Sequence, residues 1–162
     1  MSELQERRVV ACPYHIAREH LAVDLGNRAG SKTPNVLTLH APLAGAAVTK
    51  NVLVTIATAD DPMHFDQPWK VHWTPEGGGP YPDFDGTLTV RADEDYHSSV
   101  LELRGDYRPP GGIVGAAFDL AVGSKIASAT ARTLLDEIAS VMESSYAAAE
   151  RAKHSGPSGG GS

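Results

Sequence analysis

The hydrophobic pattern of this chain changes period near residue 110. Before that point apolar and polar residues alternate. Trp69, Val71 and Trp73 oppose Lys70, His72 and Thr74, and Phe84, Gly86, Leu88 and Val90 oppose Asp85, Thr87, Thr89 and Arg91. Ser99, Leu101, Leu103, Gly105 and Tyr107 oppose Val100, Glu102, Arg104 and Asp106 in the same way. A period of two predicts half-buried strands. After Arg108-Pro109-Pro110-Gly111-Gly112 the apolar residues Ile113, Phe118, Val122, Ile126, Leu134, Ile138 and Met142 follow a helical pattern that reaches roughly Ala149. Strands first and one long helix last predict an α+β fold, a curved sheet with the helix across one face and room for a pocket between them.

The remaining elements are shorter. Residues 7–12 predict a strand stopped by Pro13. Residues 15–25 predict a helix with Ile16, Leu21 and Leu25 on one face, ended by Gly26-Asn27 and followed by a polar connection over 27–34. Strands are expected at 36–40, 50–57 and 67–74, with a turn at Asp60-Asp61-Pro62. Residues 75–82 carry three adjacent glycines between prolines and predict an exposed, mobile loop. Short connections favour antiparallel pairing. A straight helix over 113–149 would span roughly 55 Å at 1.5 Å per residue. That exceeds the width of a small domain, so a bend or break is expected at Gly123-Ser124. The regular part, 126–146, should lie lengthwise on the sheet and bury Ile126, Leu134, Ile138 and Met142.

Length and composition narrow the class. The chain of 162 residues fits a single domain over 1–150, with a flexible tail of linker composition over 151–162. A formal net charge of -6 argues against nucleic-acid binding and against charge-driven attachment to anionic membranes. The lone Cys12 excludes an intrachain disulfide and a cysteine-rich zinc site. Residues 1–8 hold no apolar signal-peptide core, and no apolar run reaches the ~18 residues of a membrane span. A cytoplasmic protein without integral membrane association is expected.

Candidate chemistry is sparse. His15 and His20 are five apart and share no helix face, and no His-Glu-x-x-His is present, so neither a metal nor a cofactor is expected. Gly123-Ser124-Lys125 has the wrong order for a phosphate loop. Arg104-Gly105-Asp106 falls inside a strand, where an adhesive tripeptide would not work. Cys12 and His15 lack the third group that a nucleophile needs. Asp119 is the one charge in an otherwise uncharged stretch, 113–123, and reads either as a solvent-facing residue or as a pocket-mouth group. Trp69, Trp73, Phe84, Leu88, Leu103 and Tyr107 read either as core or as the wall of a ligand cavity, with Phe118 and Val122 near its mouth.

This order of elements resembles that of the START-like, or SRPBCC, superfamily with its helix-grip fold. The likeness is strongest at Gly105-Asp106-Tyr107-Arg108-Pro109-Pro110-Gly111-Gly112, with Gly115, Asp119 and Ile126-Ala127 downstream, and it extends over about residues 7–148. The resemblance implies a hydrophobic small-molecule ligand, such as a lipid, polyketide or isoprenoid, held between sheet and helix. As alternatives it admits a polyketide cyclase or aromatase, for which His72, His40 and Tyr107 are the candidate polar residues, or a protein-interaction module without ligand.

Overall fold

A computed structural model describes residues 2–30, 35–43, 46–58, 68–77, 82–95, 97–108 and 120–155. Its elements are β1 (Ser2–Val10), α1 (Tyr14–Gly30), β2 (Asn35–Leu43), β3 (Ala46–Thr58), β4 (Trp69–Pro75), β5 (Asp83–Ala92), β6 (Ser99–Arg108) and α2 (Leu120–Ser155). The strands form one sheet in the order β1-β6-β5-β4-β3-β2, and every pairing is antiparallel. β2 to β6 are a meander. β1 joins at its far side, so α1 carries the chain from one edge of the sheet to the other.

The expected alternation holds in β4, β5 and β6, whose large apolar residues, Val100 apart, face α2 and α1. Trp69, Val71, Trp73, Phe84, Leu88, Val90, Leu101, Leu103 and Tyr107 join Val52, Val54 and Ile56 of β3 in one buried core. α2 touches β6 and both edge strands, β1 and β2. A single helix reaches both edges only if the sheet curls around it. Ile126, Leu134, Ile138 and Met142 are buried as expected. Ala127, Ala131 and Ala139 lie between them, fully buried, and let the helix approach closely. Each buried Leu or Ile side chain contributes about 1.5–3 kcal/mol.

The central rung explains part of the curl. Gly86 of β5 pairs with Gly105 of β6. A Cβ at Gly105 would lie 2.2 Å from the Asp85 carbonyl oxygen and 2.4 Å from the Gly86 Cα. The two backbones approach more closely than any side chain permits, as glycine in a strand allows.

Four expectations are corrected. β1 begins at Ser2 rather than at residue 7, because its polar inward residues find partners on α2. Arg132 Nε of α2 lies 3.7 Å from Glu6 Oε1, and Arg8 Nε lies 2.8 Å from Asp136 Oδ1. α1 does not stop at Gly26-Asn27 but runs to Gly30. Gly26 faces open space, and its intrinsic cost is about 1 kcal/mol. The buried Leu25 and the Asp24–Arg28 pair offset that cost. α2 is not broken at Gly123-Ser124 but continues to Ser155, with residues 147–149 and 151–153 exposed. The length is accommodated by overhang instead of a break. The loop after β4 is not exposed throughout. Pro75 and Pro82 are buried, whereas Glu76 and Gly77 are exposed. Residues 78–81, the turn at 60–62, Ile113, Phe118 and Asp119 lie outside the described residues.

Candidate functional site

The six strand residues singled out from the sequence sit together on the face that α2 covers. They fall into two rows on either side of the glycine rung. One row crosses the whole sheet as Asn35, Val54, Trp73, Phe84, Tyr107 and Ser2, each opposite the next in the register. The other contains Trp69, Leu88 and Leu103. All six are buried, with Trp69 the most accessible at 7%.

The centre of the first row is tightly organised. Trp73 and Phe84 stack with ring centroids 4.1 Å apart and an interplanar angle of 18°. The Trp73 indole N–H donates to the Pro82 carbonyl at 3.2 Å, which satisfies the one polar group of that side chain. The Phe84 ring lies over Gly86, its Cζ 2.3 Å from where a Cβ would stand. Val122 lies in the first turn of α2.

A cavity of about 300 Å³ opens at the β2 end of this row. Leu37, Val54, Leu134 and the half-exposed Val36 form its apolar wall, and Arg28, Asn35 and Glu137 form its polar rim. Three elements supply the rim. Arg28 stands in the last turn of α1, Asn35 starts β2, and Glu137 is midway along α2. Arg28 Nε donates to Asp24 Oδ1 at 3.2 Å, and its Nη2 is 3.6 Å from Glu137 Oε1. Asn35 Nδ2 donates to the Arg28 carbonyl at 3.5 Å, near the limit of a hydrogen bond. Asp24 Oδ2 is buried without a hydrogen-bond partner among the described residues. Sequence reasoning missed this rim, because 27–34 read as a connection. The i,i+4 spacing of Asp24 and Arg28 was the available signal.

A second hollow, of about 390 Å³, lies on the face turned away from α2, bounded by Thr55, Lys70, His72, Asp85 and Thr87. There His72 Nδ1 is 2.7 Å from Asp85 Oδ1. His72 therefore points away from the covered face, as its parity implied, and is not brought together with Tyr107. His40 lies in β2. Cys12 is fully buried, and burial first and the Glu143 charge second raise its thiol pKa, which opposes a nucleophilic role. Among the described residues no cluster of three or more His, Cys, Asp and Glu could hold a metal, and no helix is long and apolar enough to cross a membrane.

No protein-family model matches the sequence, and no curated protein does. Solved structures do match. A conserved protein from Geobacillus kaustophilus superposes with a TM-score of 0.55 at 15% identity, covering 90% of this chain and 97% of that one. The protein TTHA0849 from Thermus thermophilus gives 0.54 at 13% identity, with 89% and 99% covered. A START superfamily protein from Mycobacterium smegmatis superposes less well, at 0.45 and 11% identity, with 88% and 97% covered. At such identities likeness concerns the fold alone. The fold is a helix grip: an antiparallel sheet around a long C-terminal helix.

Proposed function

We propose that this protein binds a hydrophobic small molecule between the sheet and α2, with the cavity at Arg28, Asn35 and Glu137 as the mouth. The observation that carries this reading is the continuity of the first row. Val54 lines the cavity and stands directly opposite Trp73, which leads on to Phe84 and Tyr107. A continuous row of buried apolar residues thus leads from the groove to those proposed as the ligand wall: Trp69, Trp73, Phe84, Leu88, Leu103 and Tyr107. The groove volume falls at the lower end of the range typical of ligand pockets, about 300–1,000 Å³. Burying apolar ligand surface there contributes roughly 25 cal/mol per Å². A lipid, polyketide or isoprenoid fragment matches such a site.

Both tryptophans of the chain are among these proposed wall residues, so intrinsic fluorescence would report occupancy. The test is titration with the neutral probe N-phenyl-1-naphthylamine, together with native mass spectrometry of the freshly purified protein. Saturable probe binding that shifts tryptophan emission is expected, and a Val54→Trp change should abolish it while the protein stays folded. Absence of saturable binding by wild type would remove the ligand reading.

A further inference from the structure

The rim of the groove also bears on which ligands it can accept. One guanidinium, Arg28, stands between two carboxylates, Asp24 and Glu137. Among the described residues the local charge is one cation against two anions. The Arg28 and Asp24 side chains are only 17% and 21% exposed, whereas Glu137 is 45% exposed. Arg28 has five N–H donors, and its Nε–H is spent on Asp24. Its Nη2 contact to Glu137, at 3.6 Å, is an ion pair longer than a hydrogen bond, so donor capacity remains at the groove. Acceptor capacity remains as well, on the half-exposed Glu137 carboxylate.

Building on the ligand-binding reading above, we propose that the groove selects amphipathic molecules with an uncharged hydrogen-bonding head, a hydroxyl or carbonyl, over those with a carboxylate or ammonium head. A hydroxyl accepts from Arg28 and donates to Glu137 without disturbing either ion contact. A carboxylate head must compete with Asp24 and Glu137 for the same guanidinium and meets a net negative rim. A quaternary ammonium head has no N–H to give Glu137 and cannot accept from Arg28, beside whose charge it must sit. Either ion also loses hydration on entry and must share rim charges that already hold one another, Arg28 for an anion and Asp24 or Glu137 for a cation. The neutral head avoids both costs.

The test compares 1-decanol, decanoate and decyltrimethylammonium as competitors of N-phenyl-1-naphthylamine, each below its aggregation concentration. At about pH 8 the acid is fully ionised. 1-Decanol is expected to bind at least about ten-fold more tightly than either ion, equivalent to about 1.4 kcal/mol. Glu137→Gln removes one carboxylate but keeps an oxygen that accepts a hydrogen bond, and should narrow the ratio of 1-decanol to decanoate affinity several-fold by recovering decanoate binding. Equal or tighter binding of decanoate by wild type would overturn the head-group selectivity and leave the ligand site standing. A decanoate deficit that Glu137→Gln does not move would overturn the rim charge as its cause. If neither probe nor competitors bind, the ligand site itself falls, and the selectivity with it.

Discussion

Trp73 and Phe84 face each other across β4 and β5 with their rings stacked 4.1 Å apart, and the same Phe84 ring roofs the Gly86 backbone. One aromatic side chain thus serves two purposes. It packs the centre of the sheet and shields the rung that has no side chains of its own. Phe84→Leu should lower stability by about 1–2 kcal/mol, from the lost aromatic pair and the void left over Gly86. Urea denaturation followed by tryptophan emission measures it. A loss near zero would mean that the stack is incidental.

The glycine rung gives a sharper contrast. Gly105→Ala places a methyl group within 2.2 Å of a neighbouring backbone oxygen, which cannot swing aside as a flexible side chain would. Overpacking of this kind costs about 1–3 kcal/mol or more. Gly26→Ala, on α1, meets nothing within 4 Å and should raise stability by about 0.5–1 kcal/mol through helix propensity. The two variants share one chemical change and should move the thermal midpoint in opposite directions. Movement in the same direction would contradict the close approach of β5 and β6.

The contrast between β1 and β6 shows what the sequence could reveal. β6 buries one face, so its apolar residues alternate visibly and fix which side chains turn inward. β1 also turns alternate residues inward, but two of them are Glu6 and Arg8. Their partners Arg132, Asp136 and Glu143 lie far along the chain on α2. A hydropathy pattern registers charge there and not pairing, so the first half of the strand was illegible. The groove rim was missed for a related reason. Arg28, Asn35 and Glu137 converge only once α1, β2 and α2 are docked. The aromatic row was readable because its members share strand parity, a local property.

Acid should act through Glu102. Burial alone would raise its pKa, but hydrogen bonds from Gln5 and Arg7 and the charges of Arg7 and Arg91 outweigh burial and leave it lowered. Arg7 Nε donates to Glu102 Oε2 at 2.6 Å. A carboxylate with a folded pKa below its unfolded value of about 4.3 stabilises the fold fully above that value. The contribution is lost as pH falls through the folded pKa. Glu102→Gln should therefore cost up to about 1 kcal/mol at neutral pH, since its arginine partners are solvent-screened, and the gap from wild type should close in acid. The arginines left behind are exposed at 56% and 55%, so no buried charge is stranded. Urea midpoints from about pH 7 to about pH 3 measure the gap, and a gap that does not change with pH would exclude Glu102 as its source.

Cys12 should be chemically silent in the folded protein. It is fully buried, its Sγ contacts the Pro13 carbonyl at 3.7 Å, and its own carbonyl accepts from Ser99 Oγ at 2.7 Å. Burial is the larger cause of its raised pKa and the Glu143 charge the smaller. Removing the charge alone should therefore leave the thiol slow to react. Labelling by a disulfide reagent at about pH 8 should be slower than in urea by about two orders of magnitude or more, because burial bars the reagent and disfavours the thiolate until the chain opens. Glu143→Gln should shorten that delay only modestly, through the smaller share of the pKa rise that its charge supplies and through the charged partner that Arg8 loses. Native-state labelling at the unfolded rate, in wild type or in Glu143→Gln without loss of stability, would show that the thiol is reached by solvent and that burial does not control it.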